Sequence, residues 1–265
     1  MGTAVRMSEM WRMDNTWIAR RPLKKCARLR LFCLPYAGGS AAIYHRWHAA
    51  FPQNVDLCPI ELPGRIARLK EPPFSDLPAL IKALHEGVAA LLDVPFAFFG
   101  YSMGALIAYE WARELMRRGE RSPERLIVAA RGAPHLPPAF VHDSASASDE
   151  QVIANIFGRY GQRLQAVLAE PDMRTIVLGI MRADLTLLDS YVYQGDGQLS
   201  VPIAAIGGEH DPLVARDSLR AWNKVTSANF SEWMLAGDHF FIDTDRGRLI
   251  QIIQNCLGIS NEPKV

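Results

Sequence analysis

One serine lies in a pattern that is typical of an activated nucleophile. Ser102 is the central residue of Gly100-Tyr-Ser-Met-Gly104, an apolar run over 95–99 precedes it, and a helical pattern over 105–118 follows. In a strand–turn–helix of this kind the turn is so tight that the serine adopts a strained backbone conformation, and its hydroxyl lies exposed at the helix N-terminus. The spacing therefore predicts a nucleophile elbow. The simpler interpretation is a glycine-rich turn that carries a solvated serine.

A serine hydroxyl becomes a good nucleophile only beside a base, usually a histidine, which a third group orients. Of the seven histidines, His239 follows the last strand pattern, where the chain order Ser, Asp, His puts the base. Asp211 follows a buried strand pattern and two glycines, between Ser102 and His239, and we predict that it is the acid. The rival candidates are His210 for the base and Asp189, Glu209 and Asp217 for the acid. Asp238 is predicted to be a turn residue.

A second glycine-rich turn, over 35–40, ends the first strand pattern. In serine hydrolases an amide from such a turn and the amide after the nucleophile bind the negative oxygen of the intermediate. We therefore predict an oxyanion hole formed by the backbone amides of Ala37 and Met103. A plain strand-to-helix turn is the alternative. A phosphate-binding loop is disfavoured because the Lys-Ser or Lys-Thr ending of that motif is missing.

The predicted elements that position these residues alternate along the chain. Strand patterns lie at 29–34, 55–60, 95–99, 126–130, 201–206 and 230–235. Helical patterns lie at 43–51, 77–92, 105–118, 213–225 and 246–256. Such alternation predicts an α/β fold with a mostly parallel central sheet and helices on both faces.

The alternation stops after 134. A linker-like stretch rich in serine and alanine over 144–148 leads to Ser148 and Gln151, which could form a capping box at a helix N-terminus. Helical patterns then continue to about residue 188 with two apolar stripes. The stripes consist of Ile153, Ile156, Phe157 and Tyr160, and of Met173, Ile176, Val177, Ile180 and Met181. Ordinary core packing explains them as well as the second interpretation, a helical lid whose apolar face lines a channel for an acyl chain.

Composition narrows the class of protein. With 265 residues the chain suits one large domain, and a formal net charge of +1 argues against a nucleic-acid binder. Four scattered cysteines without a Cys-x-x-Cys pair argue against a zinc site and a disulfide framework. No apolar run reaches the length of a membrane span, and residues 1–21 have no signal-peptide core. We expect a cytoplasmic protein with a flexible leader over 1–25.

Several motifs taken together resemble the type II thioesterases, stand-alone α/β hydrolases that accompany polyketide and nonribosomal peptide synthetases. The resemblance covers about 29–257. The matching segments are Leu34-Pro-Tyr-Ala-Gly-Gly-Ser40, Glu61-Leu-Pro-Gly-Arg65, Gly100-Tyr-Ser-Met-Gly104, Met181-Arg-Ala-Asp184 with Tyr191, Gly207 to Pro212 and Gly237-Asp-His-Phe240. Ser102, Asp211 and His239 fall on the triad positions of this family.

The resemblance implies hydrolysis of acyl groups from the phosphopantetheine thiol of acyl- or peptidyl-carrier proteins, which clears stalled or wrongly primed carriers. No cofactor of its own is expected, because the substrate carries the phosphopantetheine, and we expect a monomer. The resemblance also implies an α/β-hydrolase core over 26–136 and 186–265 and a lid over 137–185. Two alternatives stay open: a small-molecule carboxylesterase and a catalytically silent carrier-binding protein. Arg117, Arg118 and Arg121 could meet an acidic carrier or form a solvated basic helix end.

Overall fold

A computed structural model of the chain describes residues 16–19, 23, 24, 26–137, 147–160 and 168–259. In this part of the chain, six parallel strands form one sheet in the order β2-β1-β3-β4-β5-β6. The strands are β1 (Leu29–Leu34), β2 (Val55–Pro59), β3 (Phe96–Tyr101), β4 (Leu126–Ala129), β5 (Ile203–Gly208) and β6 (Phe230–Leu235). The predicted parallel α/β sheet is therefore confirmed.

Helices connect the strands. They are α1 (Leu77–Val88), α2 (Met103–Arg117), α3 (Asp149–Tyr160), α4 (Pro171–Asp189), α5 (Arg216–Arg220), α6 (Phe241–Thr244) and α7 (Arg246–Cys256). Short 3₁₀ helices lie at Ala41–Ala50, Ile66–Arg68, Ala89–Leu91 and Ala221–Val225. The predicted helix over 43–51 is thus 3₁₀, and the one over 77–92 ends as an α-helix at Val88.

The sheet is covered on both faces because its strands are apolar on both. In β3, Phe96 and Phe98 pack in one cluster and Phe99 and Tyr101 in the other. Residues of α1, α2 and α5 belong to the first cluster, and residues of Ala41–Ala50, α6 and α7 belong to the second. Such two-sided burial is usual for parallel sheets and gives continuous apolar runs in place of alternation. The predicted helices on both faces are confirmed.

The strand order creates a crevice between β1 and β3. The chain leaves β1 towards β2 at one edge, crosses back to β3, and continues to β6 at the other edge. The segment after β1 packs on one face of the sheet, whereas α2, which follows β3, packs on the other. Ligands of open α/β sheets bind at the carboxyl ends of the strands at such a switch point. The turn over 35–40 and Ser102 both lie there.

The packed chain begins earlier than the leader predicted over 1–25. Trp17 and Ile18 are buried, and Ile18 forms an antiparallel bridge with Ile60 beside the edge strand β2. The Trp17 ring fits against Gly87 of α1, where a Cβ would lie 2.1 Å from the indole. Residues 1–15, 20–22 and 25 lie outside the described residues. Periodicity missed this segment because its contacts are with distant parts of the chain.

Two helices, α3 and α4, form the segment between β4 and β5. The predicted capping box opens α3, because Gln151 N–H donates to Ser148 Oγ at 3.3 Å and Ser148 N–H to Gln151 Oε1 at 2.7 Å. The second stripe is only partly buried: Met181 is covered, whereas Met173 is 45% exposed. The side chains of Ile156, Phe157 and Tyr160 lie outside the described residues. Among the described residues, no helix has the length and apolarity needed to span a bilayer.

Glycine is required at position 104, where α2 meets β1. A Cβ on Gly104 would lie 2.2 Å from the Leu34 carbonyl oxygen, a fixed backbone atom. We expect Gly104→Ala to destabilise the protein by more than about 2 kcal/mol, as in overpacked cores, measured by chemical denaturation. The control is Gly179→Ala in α4, where nothing lies within 4 Å, and alanine should add roughly 0.5–1 kcal/mol of stability. Equal effects of the two substitutions would contradict the packing argument.

Candidate active site

Ser102 sits in a strained turn between β3 and α2. Its φ of +53° and ψ of −111° lie in a region that residues with a Cβ rarely adopt. The turn can be this tight because Gly100 and Gly104, on either side of the serine, have no side chain. A Cβ on Gly100 would lie 2.2 Å from the Gly104 carbonyl oxygen. Ser102 N–H still donates to Ala129 O at 2.8 Å, so the strand pairing with β4 reaches the serine itself. This is the geometry that the sequence predicts for a nucleophile elbow.

Three side chains from different loops form a hydrogen-bonded chain. His239 Nε2 lies 3.2 Å from Ser102 Oγ, and His239 Nδ1 lies 2.8 Å from Asp211 Oδ2. The Asp211 side chain is fully buried, and its other oxygen accepts from Leu213 N–H at 2.8 Å. A carboxylate at Nδ1 keeps the proton on that nitrogen, so Nε2 can accept the proton of the serine. The predicted base, acid and nucleophile are therefore brought together.

The rival residues do not join this chain. His210, Glu209 and Asp217 are exposed. Asp238 is also exposed, and its Oδ1 accepts from Phe240 N–H at 2.8 Å, which makes it the turn residue that the sequence predicts.

His239 has to reach back across the sheet. β6 lies three strands from β3, about 14 Å at the ~4.8 Å spacing of neighbouring strands. The loop after β6 folds over the end of β5, where Gly208 leaves room: a Cβ there would lie 2.7 Å from the Asp238 carbonyl oxygen. Tyr101 completes the connection, since its hydroxyl donates to His239 O at 2.6 Å and accepts from Ile242 N–H at 3.3 Å. Burial raises the pKa of Tyr101 well above its usual value, so the hydroxyl keeps its proton.

The turn after β1 lies beside the elbow. Gly39 N–H donates to Tyr36 O at 2.8 Å, and Gly38 has a φ of +76°. These are the features of a type II β-turn with Ala37 and Gly38 at its centre. The start of α2 packs against the backbone that leads from β1 into this turn, because a Cβ on Gly104 would lie 2.7 Å from Pro35 O. The predicted donors, Ala37 and Met103, thus belong to two backbone segments in direct contact.

An ion pair beneath this turn has no counterpart in the sequence-based prediction. Arg65 and Asp184 are paired, and both side chains are 3% exposed. Asp184 Oδ2 also accepts from Gly38 N–H at 2.7 Å, and Arg65 Nε donates to Gly39 O at 2.9 Å. The available signal was a carboxylate on the apolar face of α4, next to the buried Leu185 and three residues after the buried Met181. A charge at such a position predicts a buried partner but does not identify it.

Glu61 is a second buried carboxylate near the turn. Burial raises its pKa from 4.5 to about 7, and the Ala41 amide and the charges of Arg65 and Arg68 offset part of the rise. Its Oε1 accepts from Ala41 N–H at 3.4 Å, and its backbone N–H donates to Trp17 O at 2.8 Å. Glu61 therefore connects the N-terminal segment to the chain that follows the turn.

The fold and the site together define a class. A parallel sheet that presents a serine at a strand-to-helix elbow, with a carboxylate and a histidine after later strands, is the architecture of the α/β hydrolases. A family model described as "Thioesterase domain" matches residues 29–257. The chain belongs to this family.

Relatives from biosynthetic pathways are similar over nearly the whole chain. The gramicidin S biosynthesis protein GrsT of Aneurinibacillus migulanus is 37% identical over 95% of this chain and 97% of its own. The solved structure of RedJ, a thioesterase from the prodiginine pathway of Streptomyces coelicolor, is 32% identical, with a TM-score of 0.81 over 90% of this chain and 94% of its own. BorB, described as the type II thioesterase of the borrelidin cluster, is 33% identical, with a TM-score of 0.77 over 90% and 96%.

The role of Tyr101 can be tested by removing one oxygen. Tyr101→Phe leaves the ring in place but removes the hydrogen bonds to His239 O and Ile242 N–H. We expect kcat for ester or thioester hydrolysis to fall about 3- to 30-fold, since one hydrogen bond contributes roughly 0.5–1.5 kcal/mol and leaves its partner unsatisfied when lost. KM should change little because the hydroxyl contacts the loop of the base. An unchanged kcat in the folded variant would contradict this role.

The raised pKa of Glu61 predicts a pH dependence of stability. The folded state holds the proton more tightly than the unfolded chain, so this contribution is complete below pH 4.5 and disappears as the pH rises to about 7. Glu61→Gln should remove this pH dependence. Relative to the wild type, the free energy of unfolding of the variant should therefore rise by roughly 1–3 kcal/mol between pH 4.5 and 7.5. Urea unfolding at several pH values measures this difference. A difference between the two proteins that does not vary with pH would contradict it.

Proposed function

We propose that this protein is a type II thioesterase that hydrolyses acyl thioesters from the phosphopantetheine arm of carrier proteins, with Ser102, His239 and Asp211 as its catalytic triad. The observation that carries the proposal is the hydrogen-bonded chain from Ser102 Oγ through His239 to the buried Asp211. Membership of the thioesterase family and the likeness to BorB, a type II thioesterase, support the substrate class.

The geometry suggests the following reaction. His239 Nε2 takes the Ser102 proton while Oγ attacks the acyl carbonyl, and Asp211 stabilises the imidazolium that forms. The Ala37 and Met103 amides bind the oxygen as it becomes negative; one such donor contributes about 10²–10³ in rate. The carbon–sulfur bond then breaks, and His239 gives its proton to the leaving thiol. Water, activated by the same histidine, attacks the acyl-enzyme and releases the acid and the free Ser102.

We further propose that α3 and α4 form a lid over the site, within the segment 137–185. α4 lies against the turn after β1, since a Cβ on Gly38 would lie 2.5 Å from Met181 Sδ. The two helices and Leu168 between them share a small apolar cluster, formed by Val152, Leu168, Leu178, Met181 and Leu185. Next to it, Ile176 and Ile180 are half-buried and Met173 is exposed, which gives an apolar surface suited to an acyl chain. The core then comprises 26–136 and 186–265, with the packed segment 16–19 added to it.

The partner that we propose is an acyl- or peptidyl-carrier domain of a polyketide or nonribosomal peptide synthase, from which the enzyme clears aberrant acyl groups. The likeness to GrsT, a gramicidin S biosynthesis protein, and to BorB, a type II thioesterase of the borrelidin biosynthetic cluster, supports a biosynthetic setting. The basic end of α2 is a weaker docking candidate than the sequence suggests, because Arg117 and Arg118 pair with Glu114, and Arg121 with Glu124.

We also propose a cytoplasmic monomer without a cofactor of its own. The four cysteines all lie in the described part of the chain and form no disulfide there, which is usual in a reducing compartment. The three proposed catalytic side chains all come from one chain, which supports a monomer as the active unit.

Hydrolysis of loaded carriers tests the proposal. Carriers bearing acetyl, longer acyl or aminoacyl groups are incubated with the enzyme, and release is followed by intact mass. We expect Ser102→Ala to lower turnover by at least about 10⁴-fold, as loss of a triad serine does elsewhere, with an unchanged melting temperature. The matched control is Ser200→Ala. This exposed serine precedes β5 and lies at the amino-terminal end of the parallel strands, whereas Ser102 lies at their carboxyl end.

Three outcomes would overturn parts of the proposal. A kcat/KM for simple nitrophenyl esters far above that for carrier thioesters would identify a small-molecule carboxylesterase that uses the same triad. Unchanged carrier turnover in Ser102→Ala would show that the serine is not the nucleophile. Carrier binding without any turnover by the wild type would identify a catalytically silent binding protein.

A further inference from the structure

The turn that carries Ala37 is held from below by two buried charges. The Gly38 N–H donates to Asp184 Oδ2 at 2.7 Å, and the Gly39 carbonyl accepts from Arg65 Nε at 2.9 Å. The Arg65 Nη2 group pairs with both oxygens of Asp184, and Nη1 donates to Pro63 O at 2.8 Å. Every polar group of this pair therefore contacts the turn, Pro63 O or the opposite charge.

This arrangement determines how the turn is oriented. Ala37 and Gly38 are the central residues of the turn, and the Gly39 N–H to Tyr36 O bond closes it. That bond alone leaves the plane of the central peptide free to rotate, which is how type I and type II turns differ. Asp184 accepts from the N–H of this central peptide, between Ala37 and Gly38, and Arg65 donates to the carbonyl of Gly39, the last residue of the turn. The two side chains thus fix the orientation of the central peptide and hold the turn, with the neighbouring Ala37 amide, in one place.

The energetics favour a positioning role over a stabilising one. Both side chains are 3% exposed, and removing two charges from water costs about as much as their attraction returns. Replacing such pairs with apolar residues is often neutral or stabilising, so stability does not account for the pair. Directional hydrogen bonds to one backbone turn do account for it, because an oxyanion donor acts only when it points at the place where the charge develops.

We propose that Asp184, together with Arg65, is a positioning residue for the oxyanion hole, which couples the helix α4 to the catalytic turn. The inference rests on the proposed function, since it assumes that the Ala37 amide binds the oxyanion. Asp184 lies on α4, and Met181, one turn earlier, packs on Gly38. The oxyanion hole is then complete only while this part of α4 lies on the turn.

The test compares Asp184→Asn and Arg65→Gln with the wild type on a nitrophenyl ester and on an acyl carrier. We expect kcat to fall about 10- to 100-fold, less than the 10²–10³ for loss of a whole donor, while KM changes less than about threefold. Substrate binding should persist because neither residue is assigned to the acyl or carrier contacts.

A transition-state analogue separates this role from a general structural one. An alkyl trifluoromethyl ketone adds Ser102 Oγ to its carbonyl carbon, the carbonyl oxygen becomes an oxyanion, and the serine proton moves to His239. Its inhibition constant should rise by the same factor by which kcat/KM falls, since both report oxyanion stabilisation. The control is Arg182→Gln on the same helix, whose guanidinium pairs with the exposed Asp149 of α3; its kcat and inhibition constant should match the wild type.

Either single variant leaves one charge buried and can fail to fold, so the double variant Asp184→Asn/Arg65→Gln is made as well and its folding is checked by thermal unfolding. A folded variant with wild-type kcat, or with lowered kcat and an unchanged inhibition constant, overturns the proposal. Activity on the ester alone would defeat the proposed carrier substrate and leave this test intact, whereas loss of reaction at Ser102 in the wild type would defeat the proposed function itself.

Discussion

The close contact between the N-terminus of α2 and the end of β1 is the constraint on which the site depends. Gly104 lies against the Leu34 carbonyl and Gly100 against the backbone of Gly104, with no space for a side chain at either position. This packing holds Ser102 at a positive φ that costs on the order of 1–3 kcal/mol. A strained residue persists only when its surroundings leave no alternative, and here both neighbours of Ser102, Tyr101 and Met103, are fully buried.

Because the elbow fixes Ser102, the other two proposed catalytic groups have to come to it. His239, the proposed base, follows β6 at one edge of the sheet, and its loop is held at three points: by Gly208 beneath it, by Tyr101 at His239 O, and by Asp211 at the imidazole. Tyr101 belongs to the elbow strand itself. The same short segment therefore presents the proposed nucleophile and anchors the backbone of the proposed base, which keeps their separation independent of small shifts at β6.

The sequence predicts those parts of the site that local chemistry determines. The elbow needs two glycines around a serine, so Ser102 is evident from five residues, and the strand patterns predict the parallel sheet. Asp211 could be favoured over Glu209 and Asp217 only by chain order, and its burial beside His239 now distinguishes it. Tyr101, Arg65 and Asp184 escaped functional assignment because their partners lie far away in sequence; Arg65 and Asp184 are 119 residues apart. The sequence pattern likewise places Trp17 in a flexible leader, because its contacts lie far along the chain.

The Arg65–Asp184 pair also constrains how the proposed lid can move. The attraction between the two charges offsets the cost of removing them from water. Lifting the C-terminal half of α4 would leave Arg65 buried without its carboxylate, at a cost of about 3–5 kcal/mol. The N-terminal half of the helix carries no such restraint in the described residues: Pro171, Asp172 and Met173 are exposed, and nothing lies within 4 Å of a Cβ at Gly179. Opening by displacement of this half keeps Asp184 in place. A substrate would then enter the proposed acyl channel while Asp184 keeps its contact with the turn that carries Ala37.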